Sequence, residues 1–256
     1  MRAETEAAIR AASIGQQIAD SRDGAGRITS KGGIDLVTDA DVACEDAIRA
    51  ELLRAFPEYP VVGEERAGVP IAGKPYWLVD PICGTRHYAS DIPLYCVNIA
   101  LVEDGTVTAA AVGIGMTGEI LFAEKGRGTK SRRGGVERRV SASDESNALW
   151  IDGNSERAAN ITRELILTRR WYLWQFSSTV SYAYLASGRI AGILHFGNAP
   201  PAYGSVHKAA GCLIAAESGA VVLDADSGKP GSLHTSSTIL AATPRLASEL
   251  LTLTDH

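Results

Sequence analysis

The chain has no stretch approaching the roughly 20 apolar residues of a membrane span. It has no long basic run, and its 256 residues sum to a net charge of −5. Nucleic acid and an anionic membrane surface are therefore not expected as partners. The opening residues, Met1-Arg2-Ala3-Glu4-Thr5-Glu6, lack the apolar core of a signal peptide, and the expectation is a cytoplasmic protein. No internal repeat and no low-complexity tract is present. The four cysteines, Cys44, Cys83, Cys96 and Cys212, form no C-x-x-C pair, so free thiols in a reducing compartment are expected.

What is there is enough apolar residue, 45%, to bury one large core or two small ones. Residues 3–20 read as an amphipathic helix, and a glycine-containing stretch follows over 23–33. A second helix begins near Thr38, an N-cap residue type with Asp39 and Asp41 in the first turn, and Pro57 stops it. Strand patterns at 60–63, 76–80, 95–102, 106–112 and 118–123 predict an antiparallel meander. The charged segment 125–137 reads as a surface loop. Beyond Ser141 strands and helices alternate: 149–152, 156–169, 171–176, 178–187, 190–196, 206–217, 220–223 and 237–242, with Pro244 opening a last helix. The division expected is 1–141 as an α+β half and 142–256 as an α/β half. Cys44, Cys96 and Cys212 fall in apolar runs and read as packing residues. Cys83 is different, because its neighbours read as loop.

Four segments carry the chemistry. They are Lys31-Gly-Gly-Ile-Asp35-Leu-Val-Thr38-Asp39-Ala-Asp41, Gly63-Glu64-Glu65, Asp80-Pro81-Ile82-Cys83-Gly84-Thr85, and His207-Lys208-Ala209-Ala210-Gly211 followed by Glu217-Ser218-Gly219. In this order, with Trp77-Leu-Val-Asp80-Pro-Ile and Tyr184-Leu-Ala-Ser-Gly188-Arg, the chain resembles the inositol monophosphatase family over almost its whole length. The resemblance implies a layered α-β-α-β-α sandwich, a homodimer, and magnesium-dependent hydrolysis of a small phosphate ester. It also implies that Glu64, Asp80 and the Ile82 carbonyl are metal ligands and that Thr85 orients the attacking water. Lys31 and Asp41 would match basic and acidic residues near that loop. Two or more hard cations on oxygen ligands would polarise the phosphoryl group and activate water.

The chain departs from that family where the second metal would sit. The family's Asp-Pro-Ile-Asp-Gly-Thr carries Cys83 in place of its second aspartate, and its late Trp-Asp pair reads Val206-His207. A family glutamate that contacts substrate is matched by His195, and Arg86 and His87 follow the Gly-Thr pair. Thiolate and imidazole suit zinc better than magnesium. Three readings follow. The leading one is a Cys83-His207-Asp80 centre for nucleophilic acyl or amide transfer or hydrolysis, with the thiol pKa lowered by an imidazolium, Arg86 and loop amides. The second is a sugar- or polyol-phosphate phosphatase with a single-metal or zinc site. The third is a catalytically inactive binding protein. Candidate substrate-binding residues are Lys31, Gly84, Arg86, His87 and His195. Phe176 stands where the family prefers glycine and would alter pocket shape. Tyr88 and Tyr203 read as packing residues, and His234 and His256 as surface residues.

Overall fold

The structure, a computed structural model, describes residues 1–21, 26–32, 35–153, 155–197 and 205–254. Helix α1 (Ala3–Asp20) buries a face of small residues, among them Ala8, Ala11, Ala12 and Gly15. That lets it lie close against α2: a Cβ on Gly15 would come within 2.7 Å of Ile48 Cδ1. Between them, β1 (Ile28–Gly32) and β2 (Asp35–Thr38) form a hairpin. Helix α2 (Asp39–Ala55) starts at Thr38, as the sequence suggests. Thr38 accepts from the Asp41 amide while the Asp41 carboxylate accepts from the Thr38 amide, a reciprocal cap that satisfies two otherwise unpaired donors.

Seven strands then build the first sheet: β3 (Val61–Gly63), β4 (Tyr76–Cys83), β5 (Cys96–Glu103), β6 (Thr106–Ile114), β7 (Glu119–Glu124), β8 (Thr129–Arg133) and β9 (Val136–Arg139), in sequence order. Helix α3 (Thr85–Ala89) sits between β4 and β5. The pair β3–β4 is parallel and the others are antiparallel. The segment 125–137 is thus not simply a surface loop; most of it forms the β8–β9 hairpin. Strand β9 is an edge strand exposed at every residue, so no apolar alternation marks it, and its charge suits an unpaired edge.

The second sheet contains β10 (Ala148–Asp152), β11 (Tyr172–Gln175), β12 (Gly192–His195), β13 (Val221–Asp224) and β14 (Thr238–Ala241), ordered β11-β10-β12-β14-β13. Its helices are α4 (Glu156–Thr168), α5 (Val180–Ala186), α6 (Ala209–Glu217) and α7 (Pro244–Thr252). Helices α1 and α2 cover the outer face of the first sheet, α5 and α6 lie between the sheets, and α4 and α7 cover the outer face of the second. This is the α-β-α-β-α sandwich. One core runs through its middle, joining Leu78 and Val112 of the first sheet to Trp150, Ile193 and Leu240 of the second through α5 and α6. Among the described residues, no helix is long and apolar enough to cross a membrane.

Candidate active site

The site begins with a defect in a strand pairing. Asp80 pairs with Asn98, but the next pair is Cys83 with Cys96, so β4 spends three residues where β5 spends two. In a regular strand, residues three apart project from opposite faces. The extra residue is a β-bulge, and it returns Cys83 to the face that carries Asp80. Cys83 is therefore the last residue of a strand rather than a loop residue. Gly84 follows at φ 100°, a conformation that disfavours any side chain, and a Cβ there would lie 2.7 Å from the Leu94 carbonyl. The chain turns at this point into α3, which carries Thr85.

Glu64 is placed by a buried acid beneath its loop. The fully buried Glu45 accepts hydrogen bonds from the Glu65 amide at 2.7 Å and the Arg66 amide at 3.0 Å. Gly63 leaves room for this, since a Cβ there would fall 1.9 Å from Glu45 Oε1. His207 comes from the other half of the molecule, just before α6. Asn98 Nδ2 holds its backbone carbonyl at 3.1 Å and donates to Thr179 Oγ1 at 2.8 Å, tying β5 to the start of α5.

These elements bring most of the expected residues together. His207 Nδ1 lies 2.8 Å from Asp80 Oδ2 and 3.7 Å from Glu64 Oε2. Donor atoms of Asp80, Cys83 and His207 all fall within 4.8 Å of one another. The Thr85 hydroxyl lies 3.2 Å from Asp41 Oδ1 and 3.1 Å from the Ile82 carbonyl, both acceptors. A cavity of about 270 Å³ is lined by Glu64, Asp80, Ile82, Cys83, Gly84, Thr85, Arg86, His195 and His207. His87 does not line it. It faces an adjoining recess, edge-on to Phe176, with Nδ1 buried and without a hydrogen-bond partner. Burial, above all, lowers the His87 pKa, with Asp152 opposing and Arg86 adding to the fall. The Lys31 side chain, Tyr203 and His256 lie outside the described residues; Tyr88 is buried and His234 exposed.

The sequence reasoning passed over several residues of this cavity, Asp152, Ser177, Ser178, Thr179 and Ser205, and gave Lys208 no role. Asp152 is the most consequential, because its Oδ2 lies 3.0 Å from His195 Nδ1. The signal available was its place at the carboxyl end of a parallel strand, where open α/β sheets put their ligands.

The electrostatics overturn one expectation. The Cys83 thiol is pushed well above its ordinary value, not lowered. The hydrogen bond with Cys96 is the largest cause, followed by burial and the Asp80 carboxylate, and His207 only partly opposes them. For His207, burial lowers the pKa, but hydrogen bonds and charge from Asp80 and Cys83 outweigh it and hold the imidazolium well above the usual histidine range. The resting pair is a thiol beside a cation. Burial also lifts Asp41 to about 6, against hydrogen bonds from Thr38 and Thr85 that lower it.

Two donor sets share Asp80. Glu64, Asp80 and the Ile82 carbonyl are all oxygen and suit a hard divalent cation. The fit has support inside the molecule: Asp80 is fully buried, and its Oδ1 has no hydrogen-bond partner. Asp80, Cys83 and His207 form the softer set, closer to what zinc accepts.

Comparison with known proteins identifies the family. The model of the inositol monophosphatase family matches residues 1–255, and the chain belongs to that family. It is 30% identical over 257 residues to a Nus factor SuhB of Vibrio cholerae serotype O1, covering 95% of this chain and 92% of that one. It is 31% identical over 214 residues to an inositol-1-monophosphatase of Mesorhizobium japonicum, covering 79% and 77%. Among solved structures, the extragenic suppressor protein SuhB of Bartonella henselae superposes with a TM-score of 0.87 at 23% identity, covering 99% of this chain and 98% of that one. An inositol monophosphatase of Zymomonas mobilis gives 0.79 at 21%, covering 99% and 98%, and both likenesses speak to the fold.

Proposed function

We propose that the chain hydrolyses a small phosphate monoester, such as that of a sugar or polyol, with the water-activating half of the family's site retained and the opposite half rebuilt. The observation that carries this is the orphaned Asp80 Oδ1, a carboxylate oxygen of a fully buried residue without a hydrogen-bond partner, in a residue that lines the same cavity as Glu64 and Ile82. A buried anionic oxygen left bare is costly, and a cation offsets that cost. Glu64, Asp80 and Ile82 would hold magnesium, which when bound polarises the phosphoryl group and acidifies water.

The chain's own residues do the rest. The Thr85 hydroxyl is fixed by Asp41 and Ile82, and its oxygen is left to accept from the attacking water. Asp41 anchors that hydroxyl from inside the α2 cap. His207 brings positive charge to the other side of the cavity, its Nδ1 locked on Asp80 and its ring half-exposed. There it offsets charge growing on the phosphoryl and leaving oxygens. Asp152 holds the His195 ring toward the same space.

A second reading, nucleophilic chemistry by Cys83, is favoured by one observation: His207 engages Asp80 through Nδ1 and has a ring nitrogen within 4.8 Å of Cys83 Sγ, the order of a triad. It ranks lower because Cys83 Sγ accepts from the Thr179 hydroxyl at 2.9 Å, is 7% exposed and has a raised pKa. Phosphate release from a panel of monoesters, with magnesium or chelator and before or after iodoacetamide, separates the two. Expected are magnesium dependence, a loss of about 100-fold or more in Glu64→Gln, and no dependence on alkylation before the chelator acts. Turnover of an acyl substrate that ignores the chelator and disappears in Cys83→Ala would overturn the proposal.

A further inference from the structure

Cys83 and Cys96 are direct register partners across β4 and β5. Opposed residues of an antiparallel pair point to the same face with Cα atoms about 4.5 or 5.5 Å apart. Both spacings fall within the roughly 4.4–6.8 Å that a disulfide spans. The two sulfurs also share a neighbour: the Thr179 hydroxyl is 2.9 Å from Cys83 Sγ and 3.6 Å from Cys96 Sγ. Their environments differ in a useful way. Cys83 lines the cavity, whereas Cys96 is fully buried behind it.

We propose that this pair is an oxidation site, at which a peroxide converts the two thiols into an intrachain Cys83–Cys96 disulfide in the wall of the candidate active site. The peroxide enters through the cavity and meets Cys83 first. Attack is by the minor thiolate form of Cys83, so the step is slow: its sulfur attacks one peroxide oxygen, an S–O bond forms, the O–O bond breaks, and the released hydroxide takes up a proton to leave as water, balancing the one the thiol gave up. The product is a sulfenic acid facing Cys96. The Cys96 sulfur then displaces that hydroxyl; the S–S bond forms, the S–O bond breaks, and the Cys96 proton leaves in a second water. The sulfurs together lose two electrons and the peroxide gains them. Closure draws Cys83 Sγ toward Cys96 and away from His207, and releases the Thr179 hydroxyl. The disulfide itself is independent of the reaction assigned to the site.

The test uses the full chain treated with hydrogen peroxide, then alkylated under denaturing conditions. Expected are a mass lower by two hydrogens, a peptide pair linked through Cys83 and Cys96, and recovery of both thiols with dithiothreitol. Cys212→Ser should form the same link. In Cys96→Ser, and again in Cys96→Ala, Cys83 should instead gain two oxygens as the sulfinic acid, because the resolving thiol is gone. Wild-type Cys83 that stays alkylatable, gains two oxygens, or links to Cys44 or Cys212 overturns the proposal. A Cys83–Cys96 link in a protein that releases no phosphate from any monoester upholds the disulfide and sinks the functional reading alone.

Discussion

Replacing His207 with alanine tests the rebuilt half of the site without needing a substrate. Asp80 is fully buried, with one carboxylate oxygen on His207 Nδ1 at 2.8 Å and the other unpartnered. His207→Ala leaves the whole carboxylate bare. Breaking a deeply buried ion pair costs about 3–5 kcal/mol. The imidazole here is 49% exposed, so water can reach part of the gap and solvent screens the pair. A charged hydrogen bond of about 2 kcal/mol is the better figure. For a chain of this size that lowers Tm by roughly 4–8 °C. The His207 pKa is raised by folding, so its contribution is fully present below the ordinary value of 6.5 and is lost as pH rises through the folded value. Thermal denaturation in chelator should therefore show the largest wild-type advantage near pH 6 and a shrinking one above it. Adding Asp80→Asn to His207→Ala should recover part of the loss, because the bare charge is gone. A variant as stable as wild type at pH 6, or an advantage that grows with pH, would show that no imidazolium sits on Asp80.

Three further outcomes are expected. Gly63→Ala drives a Cβ into the Glu45 carboxylate, 1.9 Å from Oε1; it should cost about 1–3 kcal/mol in urea denaturation and weaken magnesium binding measured by calorimetry. Asn98→Ala removes the bonds to Thr179 and to the His207 carbonyl; a loss of about 1–3 kcal/mol should come with a broadened His207 imidazole resonance by NMR. Asp41 holds its proton up to about 6 in the folded chain, against 3.8 ordinarily. Its contribution thus favours folding at low pH and fades as pH rises from 3.8 through 6. Asp41→Asn, which cannot ionise, should remove that part of the pH dependence of stability, and unchanged pH curves would refute the assignment.

The layered fold was legible because the elements that build it keep their periods. The helix starting at Thr38 and the strands at 95–102 and 106–112 recur in the structure within a residue or two. Strand β9 was not legible, since an exposed edge has no buried face to impose alternation. The convergence of Asp80, Cys83 and His207 followed from the family pattern. The state of the thiol did not, because it depends on Cys96 across the sheet and on burial beneath Thr179. Nor did the Asp152–His195 contact, which joins residues 43 apart through a pairing of β10 with β12 that neither strand announces alone.

The one-residue bulge between Asp80 and Cys83 specifies where a donor atom goes and leaves open what that atom is. A socket of this kind can exchange oxygen for sulfur by point substitution, because the backbone does the aiming. It should be far less forgiving of length. Deleting Pro81 or Ile82 would restore a regular ladder and leave Cys83 on the face of Asp80, but it would remove the local bend that sets the angle at which the strand enters the Gly84-Thr85 turn. A lineage built on such a strand can therefore drift widely in chemistry while its spacing stays fixed.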